Sequence, residues 1–408
     1  MKCRHCHTEL ILPLIDLGAA PPSNAYLTRQ TLHAPEKYFP LRVLVCTECW
    51  LVQTEDYAGA DELFSADYAY FSSFSTTWLK HAEKYVADMV QRFALDTNSH
   101  IIEVAANDGY LLQYAKARGI PCLGIEPTTS TADAARAKGI EIVEAFFGVK
   151  LAQQLVAQGK QADLTAANNV LAHVPDINDF AAGFAVLLKP TGVATFEFPH
   201  LLNLVEKNQF DTIYHEHYSY LSLTAASTIF AANGLAVFDV EELPTHGGSL
   251  RVYAQRSDSG KREPSQNVAK LLERETAAGM NSTAFYAGFQ DKADRVKNDL
   301  LAFLIEAKRT GKTVAGYGAA AKGNTLLNYA GVRPDLLPYV VDRNPAKQDK
   351  FLPGCRIPIV AEAQLKQTRP DYVLILPWNL RSEVVEQLAY IREWGGKFVT
   401  LVPALEIR

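Results

Sequence analysis

The sequence predicts an α/β protein in three parts: a small loop-rich module, then two units in which helices cover a mostly parallel sheet. Strand and helix patterns alternate from about residue 100 to 200 and again from 313 to 402, the order expected of doubly wound sheets. Between the two lies a charged stretch, 256 to 310, with a sustained helical period. Ahead of both, the first 70 residues lack that period and are rich in turn formers such as GAAPPSNAY. A length of 408 residues suits two or three domains. The expected units are 1–75, 76–256 and 257–408.

Composition narrows the function classes. With a net charge of −5 and no basic stripe, the chain has little with which to hold a nucleic-acid backbone. The N-terminal apolar run is broken by Glu9, Pro13 and Asp16 and carries two cysteines, which argues against a targeting segment. No apolar run approaches the length of a membrane span. A cytoplasmic chain, a monomer with neither membrane nor nucleic acid as partner, is expected.

Taken in order, the first module carries Cys3-x-x-Cys6 and Cys46-x-x-Cys49. Two such knuckles offer four thiolates that can close a tetrahedron about 2.3 Å from a structural zinc ion, and a saturated site folds the module without doing chemistry. His5 and His7 lie beside the first knuckle and can replace a thiolate. Next, TTWLKHAEKYVADMVQRF spaces Trp78, Tyr85, Met89 and Phe93 as a helix leading into the second unit. Strands are expected over 100–106, 121–126, 140–145, 162–170 and 192–198, with LAVFDVEEL and SLRVYAQ returning antiparallel at the sheet edge.

In the second unit, IIEVAANDGYLL ends a buried strand at Glu103 and turns through Ala105, Asn107, Asp108 and Gly109 into a helix near Tyr110. Ligands bind at such turns, over the carboxyl ends of the strands. The turn lacks the glycines that suit a pyrophosphate, while GIEP places Glu126 and Pro127 at the end of the next strand, where a carboxylate can accept from ribose hydroxyls. The pair points to S-adenosylmethionine, a nucleoside without phosphate. Asn168 and Asn169 end the fourth strand over the same crevice and can bond the methionine amine or carboxylate; His173, beside an apolar Val-Pro, reads as structural.

The segment DTIYHEHYSY lies after the fifth strand and before a helix capped by Ser222 and stopped at Asn233-Gly234. A histidine there can take a proton near neutral pH. A metal pair, a structural cluster and an aromatic lid are the alternatives. In the third unit, strands are expected in TVAGYG, LPYVVD, DYVLIL and KFVTLV, and GYGAAAKGN follows the dinucleotide fingerprint at Gly316, Gly318 and Ala321, with Asp342 after the next strand and Lys322 adding charge. An NAD site and a nucleotide-diphosphate site both fit this pattern.

Together EVAANDGYLL, NNVLAHVPD, EFPHLLNLVE…YHEHYSYLSL, HGGSLR and GYGAAAKGNTLLN…VVDRNPAKQDK, behind the cysteine knuckles, resemble the C-methyltransferases of deoxysugar biosynthesis, which act on nucleotide-linked 4-keto-6-deoxy sugars. The resemblance covers nearly the whole chain. It implies a central class I methyltransferase domain of Rossmann-like fold between the zinc module and a Rossmann-like C-terminal domain. It also implies methyl transfer to C3 of the sugar, His217 as general base with Tyr214 and Glu216 as neighbours, and a tyrosine from DYAYFSS, Tyr68 or Tyr70, in the site. Glu216 would orient His217. The C-terminal domain would hold the nucleotide-sugar, making Gly316, Gly318, Lys322, Asn324, Asp342 and Arg343, with His215 and His246, substrate contacts. Ala105 and Ala106 depart from the usual Gly or Ser and would crowd the methionine tail. An NAD-dependent oxidoreductase, an O- or N-methyltransferase and a non-catalytic nucleotide-sugar binder are the competing functions.

Overall fold

The computed structural model describes residues 1–57 and 71–408. Three sheets organise them. In the first, β1 (Leu12–Ala20), β2 (Phe39–Val45) and β3 (Val52–Thr54) run antiparallel, and β3 pairs in turn with β9 (Ser219–Tyr220) through Val52 opposite Tyr220. The module is therefore more regular than its turn-rich sequence implies. Register shifts between Pro13 and Ile15 and between Asp16 and Ala19 break the two-residue alternation by which a strand is read. Its fourth strand comes from more than 150 residues downstream, out of the segment that carries the two histidines and the glutamate.

The second sheet has the order β10-β11-β8-β7-β4-β5-β6. Its parallel part is β4 (Ile101–Val104), β5 (Cys122–Ile125), β6 (Glu141–Val143), β7 (Ala162–Asn168) and β8 (Leu188–Pro199). β10 (Leu235–Leu243) and β11 (Ser249–Arg256) make the expected antiparallel return, β11 lying against β8. Because β4 has β5 on one side and β7 on the other, chain order reverses there, and a crevice opens over the carboxyl ends of these strands. Helix Thr76–Phe93 matches its sequence pattern, burying Trp78, Tyr85 and Met89, and the Ser75 hydroxyl accepts from the Trp78 N–H as its cap.

The third sheet, β14-β13-β12-β15-β16-β17, is parallel except for its last strand. It comprises β12 (Val314–Tyr317), β13 (Val340–Val341), β14 (Ile359–Val360), β15 (Tyr372–Ile375), β16 (Lys397–Thr400) and β17 (Glu406–Ile407). The helix ahead of it, Phe289–Arg309, buries Phe289, Ala293, Val296, Leu300 and Leu304 as the period predicts. Phe285 belongs to a separate short helix, Thr283–Tyr286, because Gly288 turns the chain with φ near 74° before the long one starts. One apolar core runs from Leu14 and Val43 of the first sheet through Val296 and Leu300 to Val340 and Leu374 of the third. Among the described residues, no helix is long and apolar enough to cross a membrane.

Candidate active site

The four cysteines converge. Cys3 Sγ lies 3.6 Å from Cys49 Sγ, Cys6 Sγ lies 3.5 Å from Cys46 and 3.6 Å from Cys49, and all four sulfurs fall within 4.8 Å of one another. Tetrahedral zinc–thiolate bonds of about 2.3 Å set sulfurs about 3.8 Å apart, so this cage fits the ion. The Gln53 amide donates to Cys3 Sγ at 3.3 Å, the kind of outer contact that fixes a ligand. His5 is engaged elsewhere, its Nδ1 2.7 Å from the Asn178 side-chain oxygen, so a histidine ligand is not needed.

A cavity of about 500 Å³ occupies the crevice over β4, β5 and β7. Glu126 lines one end, buried, with its carboxylate accepting from the Asn107 N–H at 2.9 Å and the Thr128 N–H at 3.0 Å, and from the Thr128 hydroxyl. The turn that delivers Asn107 depends on left-handed residues: Ala105 (φ 59°), Asn107 (φ 48°) and Gly109 (φ 73°). Only glycine fits at 109, where an added Cβ would lie 2.4 Å from the Ile140 side chain. Asn168 and Asn169 form the facing wall. The Asn168 amide meets the Tyr110 hydroxyl, and among the described residues the buried Asn169 carbonyl oxygen has no hydrogen-bond partner, which suits a ligand bearing a charged amine.

Several expected contacts stand just behind this surface. Glu103 is fully buried and does not line the cavity; it reaches the Tyr110 hydroxyl, and burial with Asp108 and Glu126 nearby pushes its pKa well up. Tyr110 does line it. Asp108 accepts from the Ser73 N–H at 3.2 Å and holds the turn. Ala106 points into the core and Ala105 alone of the pair faces the cavity, so the crowding expected of two alanines reduces to one methyl. Pro127 is in the wall.

Opposite lies the 211–220 segment. His217 and Tyr214 line the cavity with their rings 4.0 Å apart, and the His173 ring is 4.6 Å from His217. The His217 Nδ1–H donates to the Thr212 carbonyl at 2.8 Å. That bond fixes the tautomer and leaves Nε2 as the basic nitrogen. Burial drives the His217 pKa well below the usual histidine value; His173, Lys322 and His246 act the same way against the Thr212 bond. The Glu216 carboxylate, expected to orient His217, is instead held by the Asn24 amide at 2.8 Å to each oxygen. The backbone carbonyl of Thr212 does the orienting because it is the acceptor that the tight turn brings to Nδ1.

The first sheet and the third unit pin this segment. The Thr54 hydroxyl donates to the His217 carbonyl at 2.6 Å, the Thr325 hydroxyl to the Ile213 carbonyl at 2.9 Å, and the Trp378 indole N–H to Asp211 at 2.8 Å. His215 faces away, bonding the Phe39 carbonyl at 3.1 Å, and is absent from the cavity wall. His246 is in the wall, its Nε2 3.1 Å from the Asn169 amide. Tyr68 and Tyr70 lie outside the described residues.

From the third sheet, Ala320, Ala321, Lys322 and Lys347 reach the cavity. Gly316 and Gly318 do not. An added Cβ would lie 2.7 Å from Val340 at the first and 2.6 Å from Pro377 at the second, so these glycines serve packing. Asp342 accepts from the Ala319 N–H and the Asn344 N–H, both at 2.8 Å, and thereby stabilises the turn instead of offering a free carboxylate to a nicotinamide ribose. Asn324 is buried against Asn328, and Arg343 is exposed, bonding Gln387 at 3.0 Å. The cavity wall also includes Thr212, from the DTIYHEHYSY segment, and Asn24 and Trp78, which no motif announces: their sequence neighbours read as a turn and a helix start.

Histidines kept neutral make stability depend on pH. Burial pushes His173 and His246 down to about 4, and pushes His215 and His217 down as well. Below the ordinary histidine pKa near 6.5 the unfolded chain takes up these protons before the folded one does, so stability falls with pH from there toward 4. The melting temperature is expected to drop by several degrees between pH 7 and pH 5, measured by calorimetry; a flat profile would refute it.

The sheet order, with a nucleoside-type crevice at its switch point and a separate four-thiolate cage, defines an S-adenosylmethionine-dependent methyltransferase with a zinc-binding module. Family models match all three parts: "Putative zinc binding domain" over residues 3–64, "Methyltransferase domain" over 78–240 and "C-methyltransferase C-terminal domain" over 244–403. The C-methyltransferase NovU of Streptomyces niveus is 33% identical over 98% of this chain and 95% of its own. The chain belongs to this C-methyltransferase family. Among solved structures, magnesium protoporphyrin IX methyltransferase of Synechocystis PCC 6803 with bound S-adenosylmethionine is 17% identical, covering 44% of this chain and 79% of that one, at a TM-score of 0.34. A Pyrococcus horikoshii OT3 protein is 12% identical over 46% of this chain and 95% of its own, at 0.39. Likenesses this distant add nothing about the chemistry.

Proposed function

We propose that the enzyme methylates C3 of a nucleotide-linked 4-keto-6-deoxy sugar, with His217 removing the C3 proton. The observation that carries this is the His217 imidazole: its Nδ1–H is committed to the Thr212 carbonyl, and its ring lies in the wall of the cavity that Glu126, Asn168 and Asn169 also line. A C–H beside a ketone is acidic enough for such a base. The bond from C3 to hydrogen breaks, the proton passes to Nε2, and the electron pair forms an enolate whose charge rests on the C4 oxygen.

S-adenosylmethionine, when bound, supplies an electrophilic methyl group. Glu126 would hold its ribose, and Asn168 with Asn169 its methionine end, which would orient the methyl group toward the sugar. Tyr214 and His246, with a tyrosine at 68 or 70, complete the sugar site in this scheme, and the 257–408 unit holds the nucleotide. Units 1–75 and 76–256 supply the zinc cage and the methyl-transfer crevice. A cytoplasmic monomer is the working form proposed.

Removing the ribose acceptor isolates one part of this scheme. Glu126→Gln is expected to weaken S-adenosylmethionine binding roughly 10- to 100-fold, the worth of charge-assisted hydrogen bonds. Titration calorimetry reads it, and an unchanged affinity would exclude Glu126 as the ribose partner.

The test of the function is a mass-spectrometric assay in heavy water with S-adenosylmethionine and dTDP-, CDP- and GDP-linked 4-keto-6-deoxy sugars. A new methyl at C3, or deuterium uptake at C3 when S-adenosylmethionine is omitted, supports the reading. A methyl on oxygen or nitrogen without exchange would replace it with the O- or N-methyltransferase alternative.

A further inference from the structure

Lys322 is placed unlike a surface lysine. Its ammonium donates to the Asn379 side-chain oxygen at 2.7 Å and stands 4.6 Å over the Trp378 ring. The same indole donates its N–H to Asp211 at 2.8 Å. Asp211 is fully buried, its carboxylate held by the Trp378 indole and by the backbone N–H groups of Asp211 and Thr212. Carboxylate, indole and ammonium thus form a polarised stack: giving up its N–H density to Asp211 makes the indole face more electron-rich, and the cation rests on that face. Among the described residues, no ion pair joins the Lys322 ammonium to Asp211 directly and its one hydrogen bond goes to Asn379, so the carboxylate acts on the cation from beyond contact distance.

The ammonium also stands close enough to His217 and His246 to bias both. All three groups share the cavity wall. In the proposed reaction the oxygen that gains charge is attached to the carbon next to the one losing its proton, so whatever stabilises that oxygen must stand beside the base. A diphosphate, several bonds away at C1, has no such requirement.

We infer that Lys322 is a catalytic residue, the counter-charge and hydrogen-bond donor for the enolate oxygen, held in that position by Asn379, Trp378 and Asp211. This rests on the proposed function. As His217 takes the C3 proton, the C3–H pair becomes the C3–C4 double bond, and the C4–O π pair moves onto the oxygen facing Lys322. The C3 carbon then bonds to the methyl of S-adenosylmethionine, and the S–CH3 pair stays on sulfur, giving S-adenosylhomocysteine. Burial lowers the Lys322 pKa, opposed by Asp211, which makes the ammonium a stronger donor than a solvated one.

Lys322→Met, Lys322→Arg and Asn379→Ala are to be compared with the wild type, using whichever nucleotide-sugar of the panel undergoes C3 exchange. At saturating sugar, Lys322→Met is expected to slow both exchange and methylation by about 100-fold or more, the usual cost of one oxyanion donor. The KM for the sugar should move less than threefold. Lys322→Arg, keeping a cation, should recover part of the rate, and Asn379→Ala should slow exchange in the same direction. S-adenosylmethionine affinity, measured on each variant, reports that the fold survives. A large rise in KM with the saturated exchange rate intact would overturn the inference and return Lys322 to the diphosphate. Should Lys322→Met lose cofactor binding as well, Asn379→Ala decides alone, and an unchanged exchange rate there also overturns it. Failure of the wild type to exchange any of the three sugars would instead fail the proposed function, a result distinguishable from both.

Discussion

His217→Ala is expected to lose C3 proton exchange and methyl transfer while still binding S-adenosylmethionine. The loss should be about 10²- to 10⁴-fold, the range for removing a positioned general base. Two features make this variant informative. The Thr212 carbonyl fixes one tautomer, so the remaining nitrogen has a single role to lose. The groups that line the cofactor end, Glu126, Asn168 and Asn169, make none of their hydrogen bonds with His217, so affinity should be kept. Because burial, with His173, Lys322 and His246 nearby, holds the His217 pKa well below the ordinary value, the neutral, basic form persists into acid. The acid limb of the exchange rate is therefore expected below pH 6.5, not at it. Exchange by His217→Ala at the wild-type rate, with the sugar bound, would remove His217 from the mechanism.

Stripping zinc is expected to have the second large effect, and to reach the active site from a distance. Structural zinc contributes about 10–16 kcal/mol of apparent binding free energy in small modules, far more than a short three-strand meander can replace. Cys46→Ser breaks the cage at a buried ligand beside the end of β2. Since β3 pairs with β9 and Thr54 holds the His217 carbonyl at 2.6 Å, loosening the first sheet also loosens the base. Elemental analysis should find one zinc per chain in the wild type and less in Cys46→Ser. Hydrogen exchange should rise over residues 39–54 and 211–220 together, with methyl transfer falling in parallel. Exchange that rises in the first region and stays protected in the second would break the proposed link between the cage and the base.

Motif chemistry was legible in the sequence because it is local. The cysteine spacing sufficed for a four-thiolate cage, the Glu126 position for a nucleoside-binding crevice, and the strand and helix periods for two wound sheets; the cage and the sheets are all present. Local reading stops where a residue's partner lies far along the chain. Glu216 looks like the natural partner of His217 one residue away, yet adjacent side chains in a turn diverge, and Asn24 claims the carboxylate. Gly316, Gly318 and Asp342 match a dinucleotide pattern whose spacing is the same when the glycines serve close packing and the carboxylate secures its own turn.

By itself, then, the sequence determined the α/β class, the metal cage and the family, since each depends on residue type at short spacing: a C-x-x-C knuckle, a strand-turn-helix, a hydrophobic period. Only the tertiary structure decided how the 211–220 segment is held. Its strand completes a sheet begun near residue 12, and its carbonyls and carboxylates are gripped by Thr54, Asn24, Thr325 and Trp378 from both ends of the chain. Hydrogen bonds across such distances follow from how the first sheet packs with the third in one core and with the second in another, and no local pattern encodes that packing.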